Sequence, residues 1–531
     1  MAGFRKPELP REQMVLWEQR LEDALPVDHP VRLLDELLKS KAFAKTFSHS
    51  EAQYVLVEGK PPYHPRDLSA LYIYGMMNRL RSSRQLESAC HNRLDVIWLL
   101  SGQRPDHSTI ADFVTAHKKL LRQLFKDVLG VAVKAQLVKL DHVAVDGTKI
   151  EADAGKGSVH KQESISKELA RVDAQIAALE KEWVENEQRE TQVLGDSTPW
   201  VPPSKGTMHQ RLSKMQRQQE RLKEALAAIE RRAAESAAGP RPRAIASVSD
   251  PDSRAMPDKE GKSKPNYNAQ IVTDTAAGVI VAQAVNDRAE DTGQLTPMLD
   301  QTQENVGRLP AEASADSGYN IGPELDGLEQ RNVIGYLPAS GERSEVSGQP
   351  TPASDAVAAA QAGQTLTDAQ WEALPRENGR ISKEAFRYDP AADVYVCPMG
   401  QSLPFVRFSS DERNWGTSSR AQYGGCLACA TCARAAMCCK NPKPGRRVNR
   451  DQYEAHRERM RARMKTDQGR SRYRLRGPTV EPKFGHIKRS LGVRRFMRRG
   501  LEAVQTEWAL VCTVINVAIL LKNWNQVAKV L

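Results

Sequence analysis

The sequence predicts an α/β protein: a mixed β-sheet flanked by helices, preceded by a helical region and interrupted by two long insertions. Three observations predict it. Residues 1 to about 130 place apolar side chains at helical spacing, as in VRLLDELLKS and DLSALYIYGMMNRLRSSRQLESAC, broken by Pro-rich turns such as GKPPYHP. From Val138 the pattern changes to LVKLDHVAVDG, which alternates, is rich in β-branched residues and predicts a strand that ends at Asp146, before Gly147. Near the other end, LEAVQTEWALVCTVINVAILL is apolar on nearly all faces, which predicts a helix buried against the sheet.

The length, 531 residues, allows about three domains. Charged residues make up 27% and hydrophobic residues 40%, the balance of an ordinary globular protein and not of a fibrous or wholly disordered one. Lys and Arg number 77 against 66 Asp and Glu, a net charge of +11 that favours a polyanionic partner, nucleic acid first. The excess is local. Residues 440–500 hold 21 Lys and Arg against 5 Asp and Glu, so the rest of the chain is net acidic. The longest apolar run, Trp508 to Leu521, is shorter than the roughly 20 residues of a bilayer crossing. The opening MAGFRKPELP lacks the apolar stretch of a signal peptide. The expectation is a cytoplasmic protein with no membrane partner. Five of the eight cysteines crowd between Cys426 and Cys439, which suggests metal in a reducing compartment and not a disulfide scaffold.

The helical region, residues 1–130, carries Arg79, Arg81 and Arg84, which as a group suit either DNA phosphates or a solvated helix face. The sheet is assembled from distant pieces. Tyr267–Asp274 and Val279–Val285 predict a hairpin around Ala277-Gly278. TGQLTPMLDQTQENV predicts a helix, AEASAD a short strand ending at Asp316, and Asn332–Pro338 a further strand. Residues 131–340 and 471–531 thus form one domain. Within it, residues 155–245 carry Ile165, Leu169, Val172, Ile176, Leu179 and Trp183 in alternating steps of four and three, the seam of a coiled coil. Met208, Leu212, Met215, Leu222, Leu226 and Ile229 continue the rhythm, and STPWVPPSKG links the runs as a helical hairpin, two dimerising arrays being the alternative. Residues 341–470 form the second insertion: a loop of small and polar residues, then the cysteines, then a basic stretch.

Asp146 and Asp316 each end a predicted strand and are each followed closely by glycine, in DGTK and DSGY. Strand-end aspartates cap turns, and in pairs they also build divalent-metal sites, because hard Mg²⁺ takes oxygen ligands and keeps positions for water and phosphate. A third acid, Glu481, precedes Pro482, a residue suited to the first turn of a helix, with Lys488 two turns further on the same face and Tyr473, Arg474 and Arg476 just upstream. One acid among so many cations is either a surface ion pair or a metal ligand beside phosphate-holding groups. Cys429, Cys432 and Cys438 have metal-ligand spacing, and Cys397 in VYVCPMG can return as a fourth thiolate for structural Zn²⁺. Cys426 and Cys439 are near enough to substitute, and the plain alternative is reduced, buried thiols. Cys90 and Cys512 read as core residues. Trp415 suits stacking on a base or, more simply, packing.

In VAVDGTKI, in YNAQIVTD with ASADSGYN and VIGYLP, and in RGPTVEPKFGHIKRSLGVRRFMRRGL followed by EW, the chain resembles the DDE transposases of bacterial insertion sequences. PDHSTIADF and CHNRLDVIWLLSG resemble their N-terminal helical region. The step from Tyr473 to Arg476 and from Glu481 to Lys488 is similar to the Tyr-Arg-Glu-Lys signature of one branch; Arg476 to Glu481 is one residue longer. The resemblance implies a ribonuclease H-like catalytic domain in which Asp146, Asp316 and Glu481 hold two Mg²⁺ ions, or Mn²⁺ in their place. It also implies that Lys488, Arg476, with Arg474 as alternate, and Tyr473 hold DNA phosphates. The activity implied is binding of terminal inverted repeats, strand cleavage and strand transfer on double-stranded DNA by a homodimer in the bacterial nucleoid. The alternatives are a metal-dependent nuclease without strand transfer and a zinc-containing DNA-binding regulator without catalysis.

Overall fold

The structure is a computed structural model that describes residues 21–52, 54, 61–194, 205–235, 244–257, 263–339, 351–413 and 416–531. The chain divides into two units. One holds the residues up to Leu137 with Ser490–Gly492 and Ala509–Leu531, and the other holds Val138–Arg489 with Val493–Trp508.

The first unit is built from α1 (Pro30–Lys39), α2 (Lys41–Glu51), α3 (Pro65–Met77), α4 (Ser83–Asn92), α5 (Leu94–Leu99), α6 (His107–Ala116) and α7 (Lys118–Lys134). Their starts follow from local chemistry. Proline at the first position with a histidine ring capping the free amides opens α1 and α3, a Ser82–Gln85 capping box opens α4, and Asp106 accepts from Thr109 N at 2.8 Å at the start of α6. The apolar stripe of α1, Val31, Leu34, Leu37 and Leu38, is fully buried. Arg79, Arg81 and Arg84 do not share a helix. Arg79 and Arg81 lie in the turn between α3 and α4, where Arg79 Nε donates to Ser490 O at 2.5 Å and Arg81 Nη1 to Gly492 O at 2.8 Å. These two arginines hold the chain's own backbone, which corrects the phosphate-contact expectation for them.

The second unit contains β1 (His142–Glu151), β2 (Val159–Lys161), α8 (Gln162–Leu194), α9 (Lys205–Glu235), β3 (Ile245–Ser247), β4 (Arg254–Pro257), β5 (Ser263–Asp274), β6 (Ile280–Asn286), α10 (Leu295–Val306), β7 (Glu312–Ser314), α11 (Gly322–Gln330) and β8 (Ile334–Tyr336). A six-stranded mixed sheet runs in the order β4-β5-β1-β7-β8, with β6 also on β5. β5 is antiparallel to β1, while β7 is parallel to both β1 and β8. β1 does not stop at Asp146. Its antiparallel pairing with β5 continues from Val143↔Asp274 through Gly147↔Gln270 to Glu151↔Asn266, so the ladder carries the strand past the glycine. The β5–β6 turn is the expected one, with Gly278 at φ 72°, a conformation that suits glycine.

α8 and α9 pack antiparallel on Ile165, Val172, Ile176, Leu222, Ala225 and Ile229, with Gln219 Nε2 donating to Asp173 Oδ1 at 2.6 Å; β2 pairs with β3 at their base. The link STPWVPPSKG lies outside the described residues apart from its last two positions.

The stretch after residue 340 is not the loop its composition suggests. Residues 340–350 lie outside the description, but Thr351 and Ser354 form a capping box that starts α12 (Pro352–Gln361), followed by α13 (Asp368–Ala373), the pair β9 (Arg376–Glu377) and β10 (Arg380–Ile381), β11 (Arg387–Asp389), β12 (Val394–Val396), β13 (Ser402–Arg413), β14 (Gly416–Tyr423), α14 (Ala435–Cys438) and β15 (Val448–Asp451). Small alanines are what let α12 pack closely: Ala356, Ala359 and Ala360 are buried with Trp371, Phe386, Tyr395 and Tyr423 in the core of an antiparallel five-stranded sheet, β11 to β15 in order. Trp415 is not described.

The chain returns through α15 (Glu454–Met464), α16 (Asp467–Arg474) and α17 (Arg476–Gly485), then a π-helical turn at His486–Ser490. Buried Glu454 ties α15 to the small-sheet region through Lys383 at 2.6 Å, and Arg457 and Arg461 of its own helix approach it at 3.1 Å each. The last long helix, α18 (Leu501–Lys522), begins in the second unit and ends in the first, followed by α19 (Trp524–Val527). It is therefore not wholly a companion of the sheet. α18 is long and apolar enough to cross a membrane, but 78% of that stretch is buried inside the protein.

Candidate active site

The sheet register creates the site. Ala144 pairs with Ser314 across the parallel β1 and β7, and two residues further on each chain lie Asp146 and Asp316. Asp146 sits in mid-strand, buried, with Oδ1 accepting from Gly147 N at 2.9 Å. Asp316 caps a short 3₁₀ turn, Ser317–Tyr319, with Oδ1 accepting from Gly318 N at 2.8 Å. Both remaining oxygens face one cation: Arg476 Nη2 is 3.1 Å from Asp146 Oδ2 and 3.7 Å from Asp316 Oδ2. Burial pushes the Asp146 carboxyl up, to about 6; the Arg476 charge opposes this, and the charges of Asp316 and Asp291 add to it. Arg476 Nε is buried without a hydrogen-bond partner, so the guanidinium is committed to the two carboxylates and to little else.

Sequence reasoning missed Asp291, which follows β6 in the segment AEDTGQL. Asn268 Nδ2 donates to its Oδ1 at 2.8 Å, and Gln270 Nε2 does so at 2.6 Å. Gln270 in turn accepts from the buried Tyr319 hydroxyl, whose ionisation the three nearby aspartates further disfavour after burial itself. A usable signal was present: Asp291-Thr-Gly293 repeats the carboxylate-near-glycine pattern of DGTK and DSGY.

Glu481 is not brought to this cation. It is exposed on α17, and Oε1 lies 3.7 Å from where a Cβ on Gly477 would stand, back along its own helix. The five-residue step from Arg476 explains this, since at about 100° per residue it turns the side chain roughly 140° away from the arginine. The helix also starts earlier than expected: Pro482 lies inside α17 and not in its first turn. Lys488 lies in the π-helical turn, and its Nζ donates to Thr148 Oγ1 at 2.6 Å and to Lys149 O at 3.0 Å on β1. Tyr473 and Arg474 end α16.

In the five-stranded region, Cys397, Cys429, Cys432, Cys438 and Cys439 line one small cavity of about 30 Å³ with Trp371 and Arg434. The cysteines are free thiols. Burial raises the Cys397 thiol and, with the neighbouring Cys439, pushes Cys438 up to about 12. Cys90 and Cys512 are buried core residues, as their helical positions suggest. Among the described residues no three His, Cys, Asp or Glu side chains stand close enough together to hold a metal ion, so neither the Asp146–Asp316–Glu481 set nor the cysteine set is closed here. The donor chemistry still differs between them in an instructive way. Asp146 and Asp316 share the Arg476 guanidinium through oxygen, the donor type that a hard divalent ion takes, whereas the cysteines offer sulfur donors around one small cavity.

Three family models match the chain, and each describes a transposase. Residues 19–116 match a transposase domain (DUF772), and residues 230–358 and 396–521 each match a transposase DDE domain. The mixed sheet with its strand-borne aspartates belongs to that class of protein. The chain is a DDE transposase of the insertion-sequence type. No curated protein and no solved structure matches it.

Proposed function

We propose that the protein binds the terminal inverted repeats of its element and catalyses strand cleavage and strand transfer on double-stranded DNA with a divalent metal. The observation that carries this reading is the convergence of Asp146 and Asp316, from neighbouring parallel strands, on a single cationic group. The strand order and the antiparallel β5–β1 pair beside the parallel β1–β7 pair support a ribonuclease H-like catalytic domain, with the α8–α9 pair and the five-stranded region as its insertions and the N-terminal helices as a DNA-binding domain.

Asp146 and Asp316 would hold Mg²⁺ or Mn²⁺, and the family resemblance gives Glu481 the third place, which it would reach only by turning from the exposed position it occupies on α17. Bound there, the metal supplies Lewis acidity toward a scissile phosphate and its attacking and leaving oxygens. The chain's own groups do the rest. Burial raises the Asp146 carboxyl to about 6, and a bound cation would favour its ionised form. Arg476 is already aimed at the reacting position and can pass from the carboxylates to a phosphate oxygen, a bidentate geometry that guanidinium suits. Lys488, Arg474 and Tyr473 complete the phosphate-holding set. The cysteines Cys397, Cys429, Cys432 and Cys438 would hold structural Zn²⁺, and two copies of the chain would hold two DNA ends as a homodimer.

The test uses the full chain, a DNA duplex carrying the element end and a target plasmid. Wild type should nick the end in Mg²⁺ and join pre-cleaved ends to the plasmid, while Asp146→Ala and Asp316→Ala should bind the duplex but do neither. Cleavage without joining would make it a nuclease, and cleavage by either variant would remove the site.

A further inference from the structure

The two helices of the α8–α9 hairpin carry opposite charge. α8 holds eight Asp and Glu against four Lys and Arg, whereas from Lys205 to Lys223 α9 holds six Lys and Arg against one Glu. The hairpin does not spend these charges on each other. Among the described residues no Lys or Arg of α9 pairs with an acid of α8, and the polar ties across the seam come from glutamines, Gln218 Nε2 donating to Glu168 Oε1 at 3.0 Å and Gln219 Nε2 to Asp173 Oδ1 at 2.6 Å. The pair is held by its apolar seam, so the fold does not need the cations.

Lys214, Arg217 and Arg221 follow one another in steps of three and four and form one row along α9, exposed and without an ion pair or hydrogen bond to another described residue. Further along the same row the situation reverses. Arg232 stands 18 residues after Lys214, five full turns and about 27 Å along the axis. It is buried, with Nε 3.1 Å from Asp287 Oδ2, directly after β6, and Nη2 donating to the carbonyls of Pro251, Asp252 and Ser253. The row is thus docked on the mixed sheet at one end and carries three uncompensated charges outward at the other. No large apolar side chain of α9 is exposed among the described residues, so a protein partner would find little to bury there. A partner held in a row by charge alone is a polyanion.

We propose that Lys214, Arg217 and Arg221 bind the phosphate backbone of double-stranded DNA without regard to its sequence, in addition to the centre at Asp146 and Asp316. This rests on the reading of the chain as a DNA-binding protein and gives the helical insertion a task of its own. A duplex presents one charge per about 1.7 Å of its axis, so the roughly 10 Å that the row covers faces several phosphates.

The test changes Lys214→Gln, Arg217→Gln and Arg221→Gln together in the full-length protein and follows binding by fluorescence anisotropy over a range of salt, with one duplex carrying the element end and one unrelated duplex. The slope of log affinity against log salt should fall by about two to three for both duplexes, with binding about tenfold or more weaker at low salt and an unchanged thermal unfolding midpoint. In the wild-type protein, which needs no variant to fold, either duplex should shield Lys214 from acetylation, read by mass spectrometry. An unchanged slope, or full acetylation of Lys214 in the complex, would overturn the assignment to α9 while leaving DNA binding elsewhere on the chain. Loss confined to the element-end duplex would overturn the sequence independence. An unchanged slope with a variant that sediments as a smaller species would mean that the row meets the acids of a second copy and not DNA. Failure of the wild type to bind either duplex would overturn the DNA-binding reading beneath it.

Discussion

The aspartates and the cysteines occupy two sheets of the same unit, and the sheets hold them differently. Asp146 lies inside a strand, paired with Ile271 of β5 on one side, while the parallel ladder with β7 ends two residues before it at Ala144, so its backbone position is set by the sheet. Cys429, Cys432 and Cys438 lie on or beside short helical turns between β14 and β15, held by packing around a small cavity with Trp371, Ile381 and Cys397 and by Arg446, which donates to Cys438 O and Ile381 O. The difference teaches which chemistry each tolerates. A metal that must release and rebind phosphate oxygens suits ligands on a rigid sheet with open positions, whereas a structural ion supplies the order that short turns lack.

The largest effect that would sharpen this contrast is at the aspartates. Asp316→Asn should lower end cleavage by about 10³-fold or more with duplex binding retained, measured by gel assay against a binding isotherm; activity within tenfold of wild type would remove the rigid-sheet centre. Next comes the anchor of the small sheet. Burial pushes Glu454 up, but Lys383, Arg461 and Arg457 together outweigh this and hold it below the ordinary carboxylate range. A depressed folded value means that its contribution is present above about pH 4.5 and is lost as acidity rises through the folded value. Glu454→Ala should therefore destabilise by about 3 kcal/mol at pH 7, and the deficit relative to wild type should shrink in acid. A deficit independent of pH would show that lost packing, and not charge, is the cause.

Chelation separates the two sites by consequence. Removing tightly held metal with a strong chelator should lower the unfolding temperature of wild type, and Cys429→Ser should show that lower temperature before treatment, whereas Asp146→Ala should respond to the chelator as wild type does. Equal zinc content in wild type and Cys429→Ser would count against a thiolate site. The smallest effect is Trp508→Phe, which removes the donor to Gln270 O and leaves part of the fully buried indole space empty; about 2 kcal/mol of stability is expected to be lost in denaturant titration.

Much of this was legible in sequence because it is periodic. The heptads at Ile165 and Leu222, the β5–β6 hairpin and α10 are short-range patterns, and the structure carries them where spacing places them. The two aspartates were visible through the glycines that follow them. What was not legible depends on partners far along the chain. β1 outruns Asp146 because β5, well over a hundred residues later, continues the ladder. Arg79 and Arg81 read as surface cations until Ser490 and Gly492 supply the carbonyls they bind. The alanine-rich stretch after 350 reads as loop because small residues form a poor core by themselves, and it becomes a helix when Trp371 and Phe386 provide the bulk. The extra residue between Arg476 and Glu481 was visible in the spacing, but the face of α17 on which it leaves Glu481 depends on where that helix begins, at Arg476 and not at Pro482.

The bare backbone at Gly147 makes the ground beside Asp146 sensitive to a single methyl group. A Cβ there would stand 2.2 Å from Nε2 of the fully buried Gln270 and 2.6 Å from Asp291 Oδ1, so Gly147→Ala forces these side chains to shift next to Asp146. One codon is enough to disturb the aspartates without changing either of them.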